Sequence, residues 1–122
     1  MTGGTIRTGG ELSSAVTTRN GGGVVDLDGV SIHTTGANSD GLWAHQGGTI
    51  KARNTTIVTE SADTHGVWTM GGTVSLGNVQ IDTIGTYGVG LFVSNNGAID
   101  AREVTINTAV TEHMEPIWEP VP

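Results

Sequence analysis

The chain has 122 residues, of which 20 are glycine and only 4% are aromatic, and it carries a formal net charge of −7 with no cysteine. Its five Lys and Arg residues are too few for the basic surface that binds nucleic acid, and the lack of cysteine excludes disulfides and thiolate metal sites. This composition fits one domain with a thin, repetitive core, and no apolar run is long enough for insertion into a membrane.

Residues 1–21 are predicted to form a degenerate first rung, ahead of the regular repeats that begin at residue 22. Ala15-Val16 stands in it where Gly41-Leu42 stands one repeat later. The start Met1-Thr2-Gly3-Gly4 has none of the basic and apolar regions of a signal peptide. We therefore expect the chain to be a truncated fragment of a longer, exported protein.

Residues 22–112 are predicted to be built from a repeat of 24 or 25 residues. A Gly-Gly, or once an Asn-Gly, opens the repeat at residues 22, 47, 71 and 96. Two further columns keep the same register. One consists of Ile32, Ile57, Ile81 and Ile106, and the other consists of Thr34, Thr59, Thr83 and Thr108. Because three columns share one period, chance similarity does not account for the pattern, and a repeat architecture is indicated.

Each repeat is predicted to contain three short strands. Within the first repeat, apolar residues alternate at 25 and 27, at 30 and 32, and at 42 and 44, which is the period of a strand. Equivalent strands of successive turns then stack about 4.8 Å apart. The sequence therefore predicts an all-β chain, a right-handed parallel β-helix with three strands per rung.

The side chains that alternate inward define the predicted core. The inward columns are Val25, Ile50, Val74 and Ile99; Leu27, Ala52, Leu76 and Ala101; Val30, Thr55, Val79 and Val104; Ile32, Ile57, Ile81 and Ile106; and, in the third strand, Leu42, Val67 and Leu91. Asn54 and Asn78 occupy equivalent positions and predict an amide ladder, which Gly29 and Glu103 end on either side. The six residues after each Thr of the Thr column, at 35–40, 60–65 and 84–89, are predicted to be solvent loops.

Three aromatic residues form the most suggestive surface feature. If Leu42 and Ala44 face inward, Trp43 faces outward, and Trp68 and Phe92 recur at its position in the next two repeats. One interpretation is a stacking ladder that stabilises one face of the helix. The other is a surface for binding or self-association, since exposed apolar strips mark interaction sites.

The charged residues predict no catalytic or metal site. Asp26 lies next to Lys51 in register and Asp28 next to Arg53, which indicates surface ion pairs. The histidines share no column and no ligand spacing, and they are His33, His45, His65 and His113. We expect no cofactor, no metal and no enzymatic activity.

The repeat resembles the passenger domains of bacterial type V autotransporters, in particular the pertactin-like passengers. The shared pattern is T-x-G-x-x-x-x-G-[LV]-x-A-x-x-G-G-T-[IV], with copies at Thr34–Ile50, Thr59–Val74 and Thr83–Ile99, and the resemblance covers roughly residues 22–108. It implies an extracellular scaffold on the bacterial cell surface that acts in adhesion or self-association. The partners it implies are a host-surface or glycan ligand, or another copy of the chain in end-to-end or lateral association.

Two other functions remain open at this point. A carbohydrate-active β-helix protein, a polysaccharide lyase or hydrolase, is the main alternative, although its groove walls would need longer loops than six residues. Ice binding by the Thr column is the weaker alternative, because a single column at a corner is not a flat array. Residues 113–122, which are Pro-rich, are predicted to be a cap or a peptide appended in cloning.

Overall fold

A computed structural model describes residues 1–19 and 22–108. Within those ranges the regular secondary structure consists entirely of β-strands. The strands are β1 (Thr5–Thr8), β2 (Val16–Thr18), β3 (Val24–Asp28), β4 (Ser31–Thr34), β5 (Leu42–His45), β6 (Thr49–Thr59), β7 (His65–Met70), β8 (Thr73–Thr83), β9 (Val89–Ser94) and β10 (Ala98–Thr108). The predicted tail at 113–122, and His113 with it, lie outside the described residues.

The strands form two parallel sheets, and each strand pairs with its equivalent in the next turn. One sheet runs β1-β4-β6-β8-β10 with β3 also beside β6, and the other runs β2-β5-β7-β9. The register joins Ile32 to Ile57 and Ile57 to Ile81, as the sequence period requires. The predicted all-β parallel β-helix is thereby confirmed, with about four turns.

The prediction of three separate strands per rung is wrong in one respect, because the first two merge in most rungs. β6, β8 and β10 each run for 11 residues. Each bends at a residue with positive φ, which is 51° at Asn54, 55° at Asn78 and 53° at Glu103. In the rung of residues 24–34 the two strands stay separate at this bend, where Gly29 and Val30 lie between β3 and β4.

The predicted amide ladder at this bend is confirmed. The Asn78 side-chain amide donates to Oδ1 of Asn54 at 2.8 Å, and the Asn54 amide donates to Oδ1 of Asp28 at 3.0 Å. Asn tolerates the left-handed conformation better than other residues with a side chain. The ladder therefore lets the strand turn a corner without losing its pairing to the next rung.

The predicted inward columns of the long strands are buried in the inner rungs and exposed in the last one. Ile57 and Ile81 are 0% exposed, whereas Ile106 is 40% exposed. Ala101 is exposed as well. The reason is the position of the last rung, since β10 pairs only with β8 among the described strands.

The inward column of the third strand follows the same gradient. Leu42 and Val67 are both 0% exposed, whereas Leu91 is only partly buried. The register pairs Val67 with Leu42 on one side and with Leu91 on the other. Val67 is therefore the central member of this column and a core residue, as predicted, while the prediction for Leu91 is only partly met because β9 is the last strand of its sheet.

The glycine before each Leu or Val of the third strand is required by close packing. A β-carbon on Gly66 would overlap Cγ2 of Ile81 and the carbonyl oxygen of Gly90. Gly41 packs in the same way against Ile57, one rung earlier. The Gly-Leu/Val marker in the sequence thus reflects how tightly the third strand approaches the isoleucine column.

The Thr column, predicted to lie at a corner, is buried except for Thr108 in the last rung, which is exposed. Thr34, Thr59 and Thr83 are 0%, 0% and 1% exposed. Oγ1 of Thr34 donates to the carbonyl oxygen of Ser39 at 2.8 Å, but Oγ1 of Thr59 and Oγ1 of Thr83 have no partner among the described residues. These three threonines therefore offer no exposed array for ice binding.

The six-residue segments are stacked turns, and their prediction as solvent loops is wrong for part of each. Ser39 and Thr64 are 0% exposed and Asp40 is 4% exposed. One residue of each turn has a φ near +60°, and these residues, which we call the corner column, are Leu12, Asn38, Asp63 and Tyr87. Main-chain hydrogen bonds hold the turns in register, as from the amide of Leu12 to the carbonyl of Ala37 at 2.9 Å.

The first rung follows the same plan as the later ones. β1 pairs with β4, and Val16 in β2 pairs with Leu42 in β5, which is the predicted equivalence. The amide of Ala15 donates to the carbonyl of Asp40 at 3.0 Å, so this turn also stacks on its neighbour. Residues 5–18 thus supply a first rung to the scaffold despite their divergent sequence.

Candidate functional site

The candidate site is the outward aromatic column, which the strand alternation places on one sheet face. Leu42 and Ala44 of β5 are buried at 0%, and Trp43 between them is partly exposed. The register pairs Trp43 with Trp68 and Trp68 with Phe92. We call these three side chains the aromatic ladder.

The buried column behind the aromatic ladder supports it without being part of the surface. Val67 immediately precedes Trp68 in β7 and is buried where Trp68 is partly exposed. Successive residues of a strand point to opposite faces of the sheet. Val67 therefore holds this strand against the core, and its predicted role is structural and not one of binding.

The rings of the aromatic ladder stack on one another along the helix. The centroids of Trp43 and Trp68 lie 4.8 Å apart with their planes 5° from parallel. Trp68 and Phe92 are 5.9 Å apart and tilted by 55°. Because the two indoles are nearly parallel, they cover each other's inner faces, whereas Phe92 is tilted against Trp68 and is the most exposed of the three at 42%.

Two histidines flank the aromatic ladder, and the sequence analysis missed both as site residues. The His45 ring lies 4.1 Å from the Trp43 ring, centroid to centroid. The His65 ring lies 4.9 Å from Trp68 and 5.2 Å from Phe92. The spacing of Trp43 and His45, two residues apart on one strand, was the available signal, because such residues share a face.

A nearly buried carboxylate holds His65 in place. Oδ1 of Asp40 accepts the backbone N–H of His65 at 2.7 Å and lies 3.0 Å from Nδ1 of the same residue. The Asp40 side chain is only 6% exposed. Burial of a carboxylate is costly unless hydrogen bonds compensate it, and these two contacts, both to Oδ1, do so for one oxygen.

A surface groove runs beside the aromatic ladder, and we call it the ladder groove. It consists of two clefts that meet at Trp43 and share Leu12 as a wall. The residues lining the first cleft are Leu12, Asn38, Asp40, Trp43, Asp63, His65 and Trp68. Those lining the second are Leu12, Ser13, Ser14, Thr17, Arg19, Trp43 and His45.

The two indole N–H groups differ in their partners. Nε1 of Trp68 donates to Oγ of Ser94 at 3.1 Å. Nε1 of Trp43 is buried and has no partner in the described part of the chain. The residue that stands to Trp43 as Ser94 stands to Trp68 is Met70, whose sulfur is only a weak hydrogen-bond acceptor. Trp43 is therefore held by stacking, without the hydrogen bond that fixes Trp68.

The ion pairs predicted between Asp and Lys or Arg lie away from the ladder groove, and the structure only partly follows that prediction. The register places Asp26 beside Lys51 and Asp28 beside Arg53, as expected. Arg53, however, contacts both carboxylates, at 3.2 Å and 3.8 Å, and Lys51 has no ion pair within the described ranges. All four side chains are at the surface, so each pair contributes about 0 to 1 kcal/mol.

A second histidine pair, His33 with Glu60, lies on the other sheet. Within residues 1–19 and 22–108, no three His, Asp or Glu side chains are grouped as metal ligands would be. A search of the same residues for a helix that could span a membrane finds none.

No protein-family model matches the chain, and neither does a curated protein sequence or a solved structure. The likeness to autotransporter passengers therefore remains a prediction based on the repeat motif. The site has to be interpreted from its own geometry.

Proposed function

We propose that the chain is a non-catalytic, extracellular β-helix scaffold of an autotransporter passenger, acting in adhesion or self-association at the bacterial cell surface. The aromatic ladder is the contact surface. The observation that carries the proposal is the in-register placement of Trp43, Trp68 and Phe92 on the outside of a regular solenoid. In a globular domain these three aromatic side chains would be expected to lie in the hydrophobic core.

The chemistry of the aromatic ladder supports a binding role. Trp and Phe have large contact areas and few rotatable bonds, so they lose little entropy when a partner covers them. Stacking at 4.8 Å fixes the two indoles before any partner arrives. A preordered apolar strip is the feature that interaction surfaces share.

The geometry of the carboxylates supports a non-catalytic role. Oδ1 of Asp40, the most buried carboxylate of the site, already accepts the backbone N–H of His65 at 2.7 Å.

One observation favours the alternative, a carbohydrate-active enzyme, which is that Asp40 and Asp63 line the same cleft. Most glycoside hydrolases use two carboxyl groups, one on either side of the scissile bond. Incubation with polygalacturonate and neutral polysaccharides, followed by assay for unsaturated or reducing ends, separates the two, and steady product formation would contradict the scaffold proposal.

Clustering of protein-coated beads tests adhesion and self-association together. Beads carrying the chain are mixed with one another and, separately, with bare or glycan-coated surfaces. We expect wild-type beads to cluster or adhere, and Trp68→Ala and Phe92→Ser beads to lose this property. Val24→Ala is the matched control, since Val24 is apolar and 68% exposed but lies on the other sheet.

Folding of each variant is checked by circular dichroism before the bead assay. Phe92→Ser guards against loss of structure, because Phe92 is 42% exposed and contributes little to the core. If folded Trp68→Ala and Phe92→Ser beads behaved like wild type, the aromatic ladder would not be the contact surface. If wild-type beads neither clustered nor adhered, the proposed function itself would be wrong.

A further inference from the structure

The ladder groove runs along the helix axis, between two columns of side chains that repeat once per rung. One wall is the corner column, of which Asn38 and Asp63 lie in consecutive rungs. The other wall consists of Trp43 and Trp68 of the aromatic ladder, and Asp40 and His65 line the same cleft. Equivalent groups recur about every 4.8 Å along a parallel sheet. A ligand that fills such a groove has to be narrow, extended and itself repetitive.

The two kinds of groups in the groove match the two kinds of surface on a sugar. The aromatic ladder supplies apolar area for C–H groups. In the same cleft, Asn38, Asp40 and His65 offer polar atoms at which hydroxyl groups can form hydrogen bonds. An apolar wall with a few converging polar groups is typical of small-ligand sites. A flat protein partner would leave the Asp40 carboxylate, which is only 6% exposed, without water or a new partner, which is costly.

Asp40 provides the strongest single polar contact. Both hydrogen bonds described above end on Oδ1, and Oδ2 has no hydrogen-bond partner among the described residues. The side chain is 6% exposed and lines the first cleft. A nearly buried carboxylate oxygen without a protein donor is well suited to accept a sugar hydroxyl, because a hydrogen bond to a charged acceptor is about twice as strong as a neutral one.

The charge of the groove selects among glycans. Asp40 and Asp63 both line the first cleft, which has no Lys or Arg, whereas Arg19 lines the second cleft. The whole chain carries a formal net charge of −7. An acidic polysaccharide would be repelled by the first cleft and by the overall field. We infer that the ladder groove binds a neutral linear glycan, lying parallel to the helix axis with about one sugar per rung. This inference rests on the proposed function and names its ligand class.

Calorimetric titration of the intact chain tests the inference. The probes are neutral linear oligosaccharides of one to six units, built from β-1,4-linked glucose, N-acetylglucosamine or mannose, and α-1,4-linked glucose. Oligogalacturonate of six units is the acidic counterpart. We expect saturable binding of at least one neutral series, with affinity that rises up to three or four units and then levels, because the residues lining the ladder groove come from three consecutive rungs. Oligogalacturonate should not bind.

Variants assign the binding to the groove. Trp68→Ala and Asp40→Asn should each weaken neutral-glycan binding by about tenfold or more, the loss expected for one charge-assisted hydrogen bond or one ring contact. Asp26→Asn is the matched control, since Asp26 lies on the other sheet and pairs with Arg53. Asp63→Asn removes one of the two carboxylates of the first cleft and retains a residue that tolerates positive φ, so it should reduce the repulsion of oligogalacturonate.

The outcomes separate this inference from the proposed function. If no neutral hexasaccharide binds, or if binding is unchanged in both Trp68→Ala and Asp40→Asn, the glycan inference is wrong. Bead clustering that still depends on Trp68, and that no oligosaccharide inhibits, would then keep the scaffold proposal with a protein partner. If the wild-type chain showed neither glycan binding nor bead clustering, both the glycan inference and the scaffold proposal would be wrong.

Discussion

Replacement of Ile57 tests the predicted inward columns at a fully buried position. Ile57 is 0% exposed and lies between Ile32 and Ile81 in neighbouring rungs. Gly41 packs against its Cγ2 and has no side chain that could move into a vacated space. Ile57→Ala should therefore cost near the upper end of the usual range, about 4 kcal/mol of unfolding free energy. A single domain is commonly stable by only about 5 to 15 kcal/mol, so Ile57→Asp, which buries an unpaired charge, should not fold.

Thr56→Asp is the matched control, because it introduces the same charge one residue earlier. Thr56 is exposed in the same strand, so its replacement should change the unfolding free energy by less than about 0.5 kcal/mol. Urea unfolding followed by far-ultraviolet circular dichroism measures Ile57→Ala and Thr56→Asp, and the spectrum without urea shows whether Ile57→Asp folds. Equal tolerance of aspartate at 56 and 57, or a greater loss at 56, would show that the inward and outward positions of β6 are misassigned.

Two further predictions use the same urea assay. Thr59→Val should stabilise the chain by about 1 kcal/mol, because it removes a buried hydroxyl without a described partner. Thr34→Val should destabilise the chain by about 1 kcal/mol, because it leaves the Ser39 carbonyl without its donor. Changes of the same sign in the unfolding free energy of the two variants would contradict this difference in hydrogen bonding. Asn78→Ala should lose about 1 to 2 kcal/mol, since alanine disfavours the φ of 55° and cannot donate to Asn54. Asn78→Gly should recover part of that loss, and identical losses in the two variants would mean that the positive φ costs alanine nothing.

The repeat period was sufficient to predict the fold because equivalent residues recur where the structure buries them. The isoleucines at 32, 57 and 81 were recognisable from spacing alone, and the parallel register joins them directly. The merging of two strands into one of 11 residues was not predictable. Asn54 is compatible with a turn that ends a strand or with a bend inside one, and only pairing with the next rung decides between them.

The stacked turns could not be predicted because residue type does not specify their conformation. Leu12 and Tyr87 adopt φ values of 60° and 62°, which side chains of their size disfavour. Backbone hydrogen bonds to neighbouring rungs impose that conformation, as between the amide of Leu12 and the carbonyl of Ala37. Such tertiary restraints leave no pattern in the amino-acid sequence.

The candidate site was predictable only in its aromatic part. Alternation along β5 was enough to place Trp43 outside, and the same alternation along β7 placed Val67 inside and Trp68 outside. The contact between Asp40 and His65 was not predicted, because it joins different residue types at equivalent positions 25 residues apart. A search along columns for complementary side chains, in place of identical ones, would have found it.

Quenching of tryptophan fluorescence by acrylamide tests most directly whether the aromatic ladder is the contact surface. Trp118 lies outside the described residues, so the measurement uses a Trp118→Phe background in which only Trp43 and Trp68 emit. Dilute protein should be quenched to an intermediate degree, since both indoles are partly exposed. Protein bound to the surface or oligosaccharide that it recognises, or clustered with its own copies, should be clearly protected. Equal quenching in the free and bound states would show that the partner binds elsewhere on the helix.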